Sequence, residues 1–139
     1  MHLATPLSLS PAVQVHLLFA AVALVLGPLA LRSRKGTPMH RGLGYAWVVC
    51  MLAAAASSLF IRDFQRLNLG GYTPIHLLAL LTFAGVGSGV WLAVRGRIAA
   101  HRHTMWRVYL GACVGAGVFT LLPGRYLGDL VWHHALGLA

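Results

Sequence analysis

Four apolar runs divide the chain, from Pro11 to Leu31, Leu43 to Ile61, Thr73 to Val94 and Met105 to Leu122. Each is close to the ~20 residues that a helix needs to cross ~30 Å of hydrocarbon. Backbone groups in lipid must bond within their own segment, so the runs are expected to be helices rather than strands of an open sheet. Composition agrees: 58% of residues are hydrophobic and 9% charged, against about half and about a quarter in soluble domains. The expected fold class is all-α, an integral membrane four-helix bundle forming a single domain over residues 1–139. No soluble domain is expected in the remaining segment from Arg125 to Ala139. Its Tyr126, Asp129, Trp132, His133 and His134 among leucines suit the headgroup region or, equally, a disordered tail.

Charge gives an orientation. Arg32, Arg34, Lys35 and Arg41 lie between the first two runs, and Arg95, Arg97, Arg102 and Arg107 lie between or just inside the last two. By the positive-inside rule both segments are expected to be cytoplasmic and both termini outside. No Lys or Arg precedes the first run, whereas a signal peptide carries its charge there, so the first helix is expected to stay. The net charge of +9 then reflects topology. A nucleic-acid partner is not expected, because no surface of interleaved aromatic and basic residues is present.

The two halves repeat. VHLLFAA at Val15 falls on IHLLALL at Ile75, RSRKG at Arg32 falls near RGRIA at Arg95, and HRGLGYAW at His40 falls on HRHTMWRV at His101. His16 and His40 are 24 residues apart, and His76 and His101 are 25 apart. The pattern reads as two copies of one helical hairpin, about 15–62 and 75–125, related by an approximate two-fold axis along the membrane normal.

Thr37-Pro38 and Thr73-Pro74 are capping threonines followed by proline at the first helical position, which puts His40 and His76 in first turns. Ser10-Pro11 opens the first helix and leaves His16 about one turn deeper. Four histidines thus sort into two levels, His16 with His76 and His40 with His101. His103 competes with His101 but points from a different face of its helix. His2, His133 and His134 read as surface residues.

A histidine from each of two facing helices at each level is the pattern of bis-histidine haem ligation, one axial nitrogen from either side of the iron. His16, His76, His40 and His101 are therefore candidate metal ligands for up to two b-type haems. Arg41 and Arg102, each directly after a histidine, are candidate partners of the haem propionates, with Arg32, Arg34, Arg95 and Arg97 behind them. A transmembrane electron carrier of this kind implies a quinone or a redox protein as its partner. The rival reading is a non-enzymatic membrane protein used in assembly, scaffolding or sensing, whose histidines bond neighbouring helices or sit among headgroups.

Other features select less. Gly85/Gly89 and Gly111/Gly115 are small-xxx-small pairs of the kind that pack membrane helices. Cys50 and Cys113, with Met51, place soft sulfur at mid-span; that suits a copper ion, although free cysteine is ordinarily a small buried apolar residue. A disulfide framework is not expected. The chain has no glutamate, and its two aspartates, Asp63 and Asp129, fall outside the runs, which argues against ion-coupled transport. No nucleophile with an adjacent base and no phosphate loop is present.

The run KGTPMHRGLGYAWV from Lys35 to Val48, then Ser57, Ser58 and Phe60, HLL at His76 and HRHTMWRVYL from His101, resembles the bacterial predicted membrane proteins grouped as domain of unknown function 2306. The likeness runs from about His16 to Arg125. It is carried best by HR-x-x-G and by HR-x-x-M-x-R-x-Y, met here by His101, Arg102, Met105, Arg107 and Tyr109. Thr104 stands where relatives often have an aromatic residue. The resemblance implies four transmembrane helices, a multi-pass protein of the bacterial inner (cytoplasmic) membrane, and no established activity.

Overall fold

In a computed structural model, which describes residues 10–61, 74–121, 128 and 131–132, two helical hairpins pack side by side. The first is α1 (Pro11–Arg32) and α2 (Pro38–Ser58); the second is α3 (Pro74–Val94) and α4 (Ile98–Val108). Beyond α4 the helix runs on through a π-helical segment, Tyr109–Gly115, into α5 (Ala116–Thr120). The segment 62–73, with Arg62 and Asp63, lies outside the described residues, as do His2, Tyr126, Asp129, His133 and His134.

Local chemistry explains the ends. Thr37 caps α2, its Oγ1 accepting from the His40 backbone N–H at 3.2 Å, with Pro38 at the first helical position. The C-terminus of α1 is closed by Lys35, whose Nζ donates to the Leu31 carbonyl at 2.6 Å and to Ser33 at 3.1 Å. Both hairpin turns contain a glycine at positive φ, Gly36 at 83° and Gly96 at 70°, a region that residues with a Cβ rarely enter.

α2 begins at Pro38, as its Thr37-Pro38 cap predicts, ahead of the apolar run at Leu43, whereas α4 begins at Ile98, well before the apolar run at Met105. Apolar runs locate the hydrocarbon stretch, whereas the helices start earlier, α2 at its Thr37 cap and α4 just after the turn at Gly96, and carry His40, Arg41, His101 and Arg102 in their first turns. The same residues make these two helices the more polar ones. α1 and the part of α3 from His76 to Val94 are long and apolar enough to cross a membrane.

The helices close in a ring: α1 packs on α2, α2 on α3, α3 on α4, and the π segment returns to α1. α2 and α4 therefore stand at opposite corners. The core between them holds Ala23, Trp47, Cys50, Met51, Val86, Met105 and Tyr109. Gly85 and Gly89 bring α3 against α4, since a Cβ at Gly89 would overlap the Met105 side chain and one at Gly85 would press on Val108. Gly111 has open space instead, with nothing within 4 Å of an added Cβ among the described residues.

Candidate functional site

His40 and His101, one from each hairpin, converge at the end of the ring where the hairpin turns lie. Their imidazoles stand edge to face, with ring centres 6.5 Å apart and planes at 87°. Both line a cavity of about 300 Å³ whose walls come from all four helices. Gly27, Ala30 and Leu31 belong to α1; Gly44, Tyr45, Trp47 and Val48 to α2; Val90, Ala93 and Val94 to α3; and Met105 to α4. Lys35, Arg41 and Arg102 stand around it.

Each ring is tethered by the same nitrogen. His40 Nδ1 lies 3.0 Å from the Ala30 carbonyl oxygen and 2.9 Å from Ser33 Oγ. The Ser33 hydroxyl itself donates to Ala30 at 2.7 Å. His101 Nδ1 lies 2.8 Å from the Gly89 carbonyl oxygen. A carbonyl only accepts, so in both rings Nδ1 carries the proton, and the neutral tautomer keeps its lone pair on Nε2. An Nδ1–H fixed by a backbone carbonyl is the usual support of a metal-ligating histidine.

The other level is arranged in part alike. His16 Nδ1 donates to the Ala54 carbonyl in α2 at 2.8 Å, and His76 is buried in the first turn of α3. His103 is exposed, and Arg41 and Arg102 are exposed side chains at the rim of the cavity. Of the two histidines that the sequence sets two residues apart, His101 is the one that lines the cavity.

Three lining residues carry meaning that sequence reasoning missed. Gly44, one turn beyond His40, presents bare backbone, with nothing among the described residues within 4 Å of where its Cβ would stand. Trp47 is 4% exposed, and its Nε1 has no hydrogen-bond partner among the described residues. Gly27 admits the ring of Tyr109, which an added Cβ would overlap. The i, i+4 spacing from His40 to Gly44 was the signal available in the sequence.

At the centre of the ring, Cys113 Sγ lies 3.3 Å from Met51 Sδ and Cys50 is buried. Among the described residues no three His, Cys, Asp or Glu side chains gather as a group able to hold a metal ion.

Among the described residues the fold is all-helical, two helices are apolar and long enough to cross a membrane, and two histidines face one cavity at one end of the helix ring, which defines a class: a helical protein with membrane-crossing helices and a polar-rimmed cavity. Within that class, the chain belongs to the predicted membrane protein family DUF2306, which matches residues 13–133. No curated protein and no solved structure matches the chain.

Proposed function

We propose that the chain is a haem b-binding membrane protein in which His40 and His101 ligate one iron from opposite sides, and that it carries electrons. The observation that carries this reading is the 6.5 Å separation of the two tethered rings. A separation of this order admits one metal ion between the rings, once the edge-to-face contact turns so that both Nε2 atoms point at it. Among the described residues no third His, Cys, Asp or Glu joins them to hold a bare ion, whereas a porphyrin supplies the remaining four ligands. The open face at Gly44 leaves room beside His40 for a flat body, and Met105, unbranched and adaptable, lines the cavity from α4.

The helices are taken to cross the bacterial inner membrane four times, with the hairpin turns cytoplasmic and both termini outside. His16 and His76, on the opposite helices α1 and α3, are the pair that the sequence repeat offers for a second haem. A quinone or a redox protein would exchange electrons with such a carrier.

The chain expressed with haem supplied and purified in neutral detergent should show b-type bands in a reduced-minus-oxidised spectrum. Colourless protein that stays folded and takes up no added haem would end this reading. It would leave the second, favoured by the bonds from His16 to Ala54, His40 to Ala30 and His101 to Gly89: histidines that clamp the two helices of each hairpin in a non-enzymatic membrane protein.

A further inference from the structure

We infer that the rim of this cavity is a dicarboxylate-binding site, in which Lys35 and Arg102, flanked by Arg41, hold the acidic edge of a flat and otherwise apolar ligand. The inference rests on the haem reading, since iron protoporphyrin is a flat apolar body with two carboxylates on one edge.

Lys35 is held in place rather than free to swing. Its Nζ spends two protons on Leu31 and Ser33 at 2.6 and 3.1 Å, and the third reaches Ala30 only at 3.4 Å. That last proton is the one an incoming carboxylate can take while the cap on α1 survives. Burial, and then the charge of Arg102, hold the Lys35 ammonium below its ordinary range, so the two cations stand near enough to oppose one another. No carboxylate occurs among the described residues, and Asp63 and Asp129, the only acids in the chain, lie outside them.

Like charges gathered beside a cavity, with no counter-ion among the described residues, are relieved by an anion, and charge-assisted bonds to a carboxylate are the stronger kind. α2 and α4 both start at this end, and the partial positive charge of their N-termini acts in the same direction. Behind the rim the cavity walls are apolar, and Trp47 brings a buried indole N–H without a partner among the described residues. Cations at the rim and apolar walls behind them set the ligand's direction: acid edge outward, apolar body inward.

The test uses the full chain in neutral detergent, titrated with ferric protoporphyrin IX and with its dimethyl ester, reading the low-spin bis-imidazole spectrum. Wild type should bind the diacid about tenfold or more tightly than the ester. In Arg102→Gln, and in Lys35→Met, that ratio should fall to near one with the same spectrum. Because Lys35→Met also loosens the end of α1, Arg102→Gln, which touches no helix cap, decides the matter. An ester that binds wild type as well as the diacid, or a ratio that Arg102→Gln leaves intact, overturns the inference while sparing the haem reading. If neither porphyrin gives the spectrum, the haem reading fails and takes the inference with it.

Discussion

The Tyr109 hydroxyl donates to the Leu24 carbonyl at 3.3 Å across the ring of helices, and Leu24 is the residue four before Pro28 in α1. Proline has no N–H, so the bond that Leu24 would accept within the helix cannot form. In a dry interior an unmet carbonyl is costly, and a hydroxyl from a neighbouring helix is one of the few groups that can meet it. Tyr109 opens the π-helical segment, and Gly27 clears the space for its ring.

Tyr109→Phe should therefore destabilise the protein by about 1–2 kcal/mol, read as a lowered thermal midpoint in detergent. In a Pro28→Ala background, where an N–H returns to position 28, the same change should cost distinctly less. Equal costs in both backgrounds would mean that the hydroxyl does not serve the carbonyl that proline leaves open.

Gly44→Leu should abolish haem uptake with little loss of fold. Nothing among the described residues stands within 4 Å of the added Cβ, so the side chain enters the cavity rather than a packed interface. Haem content and thermal midpoint measured on one preparation separate the two effects. Unchanged haem content in a well-folded Gly44→Leu protein would show that the cofactor does not lie against this face.

Trp47→Phe should alter the stability of the haem-free protein by less than ~1 kcal/mol. The ring is buried, but its N–H has no partner among the described residues, and removing an unsatisfied donor recovers desolvation energy that offsets the smaller ring. A loss beyond ~2 kcal/mol would point to a partner for the indole outside the described residues.

Much of the architecture was written locally. The Thr37-Pro38 cap put His40 in a first turn, where Thr37 Oγ1 does hold the His40 N–H, and the glycine of each hairpin turn is visible in RSRKG and RGR. The start of α4 was not readable from hydropathy, because Arg97 to Thr104 is polar enough to pass for loop. The π segment was not readable either: it belongs to the packing of Tyr109 on Gly27, two residues 82 apart by their numbers. At the site, the residue types were legible and their meeting was not. HR occurs twice at comparable places, but only the ring of helices, with α2 and α4 at opposite corners, brings His40 to His101. Likewise the carbonyl partners that fix each tautomer lie on another helix and leave no mark beside the histidine.

Topology is open to a direct test. The proposed orientation expects an Arg34→Cys probe to react with a membrane-impermeant maleimide only from the cytoplasmic side, and an Asn68→Cys probe only from outside. Arg34 is exposed in the first hairpin turn, whereas Ser33 is 7% exposed and bonded to Ala30, so a probe there would disturb the turn it reports on. Cys50 is buried and Cys113 packs against the core, and neither should label appreciably. Labelling of positions 34 and 68 from one and the same side would remove the proposed crossing by α2.

Single histidine substitutions separate ligand from clamp. His40→Ala and His101→Ala should each remove the haem held at the hairpin-turn end, because among the described residues no third His, Cys, Asp or Glu gathers there to replace the lost axial nitrogen. His103→Ala should leave that haem in place, since His103 is exposed while His101 lines the cavity. If a second haem is held by His16 and His76, replacing either should remove that one and spare the first. A clamp behaves differently: losing the bond from His40 to Ala30 or from His101 to Gly89 costs about 1–2 kcal/mol of stability. On that reading the thermal midpoints of the His16, His40 and His101 variants fall, that of His103→Ala holds, and no spectrum changes. Haem content, midpoint potential and thermal midpoint measured together on the five variants therefore decide between the two. Loss of haem on replacing His103 but not His101 would keep the chemistry and move the ligand two residues along the helix, against the geometry described for His101 and Gly89.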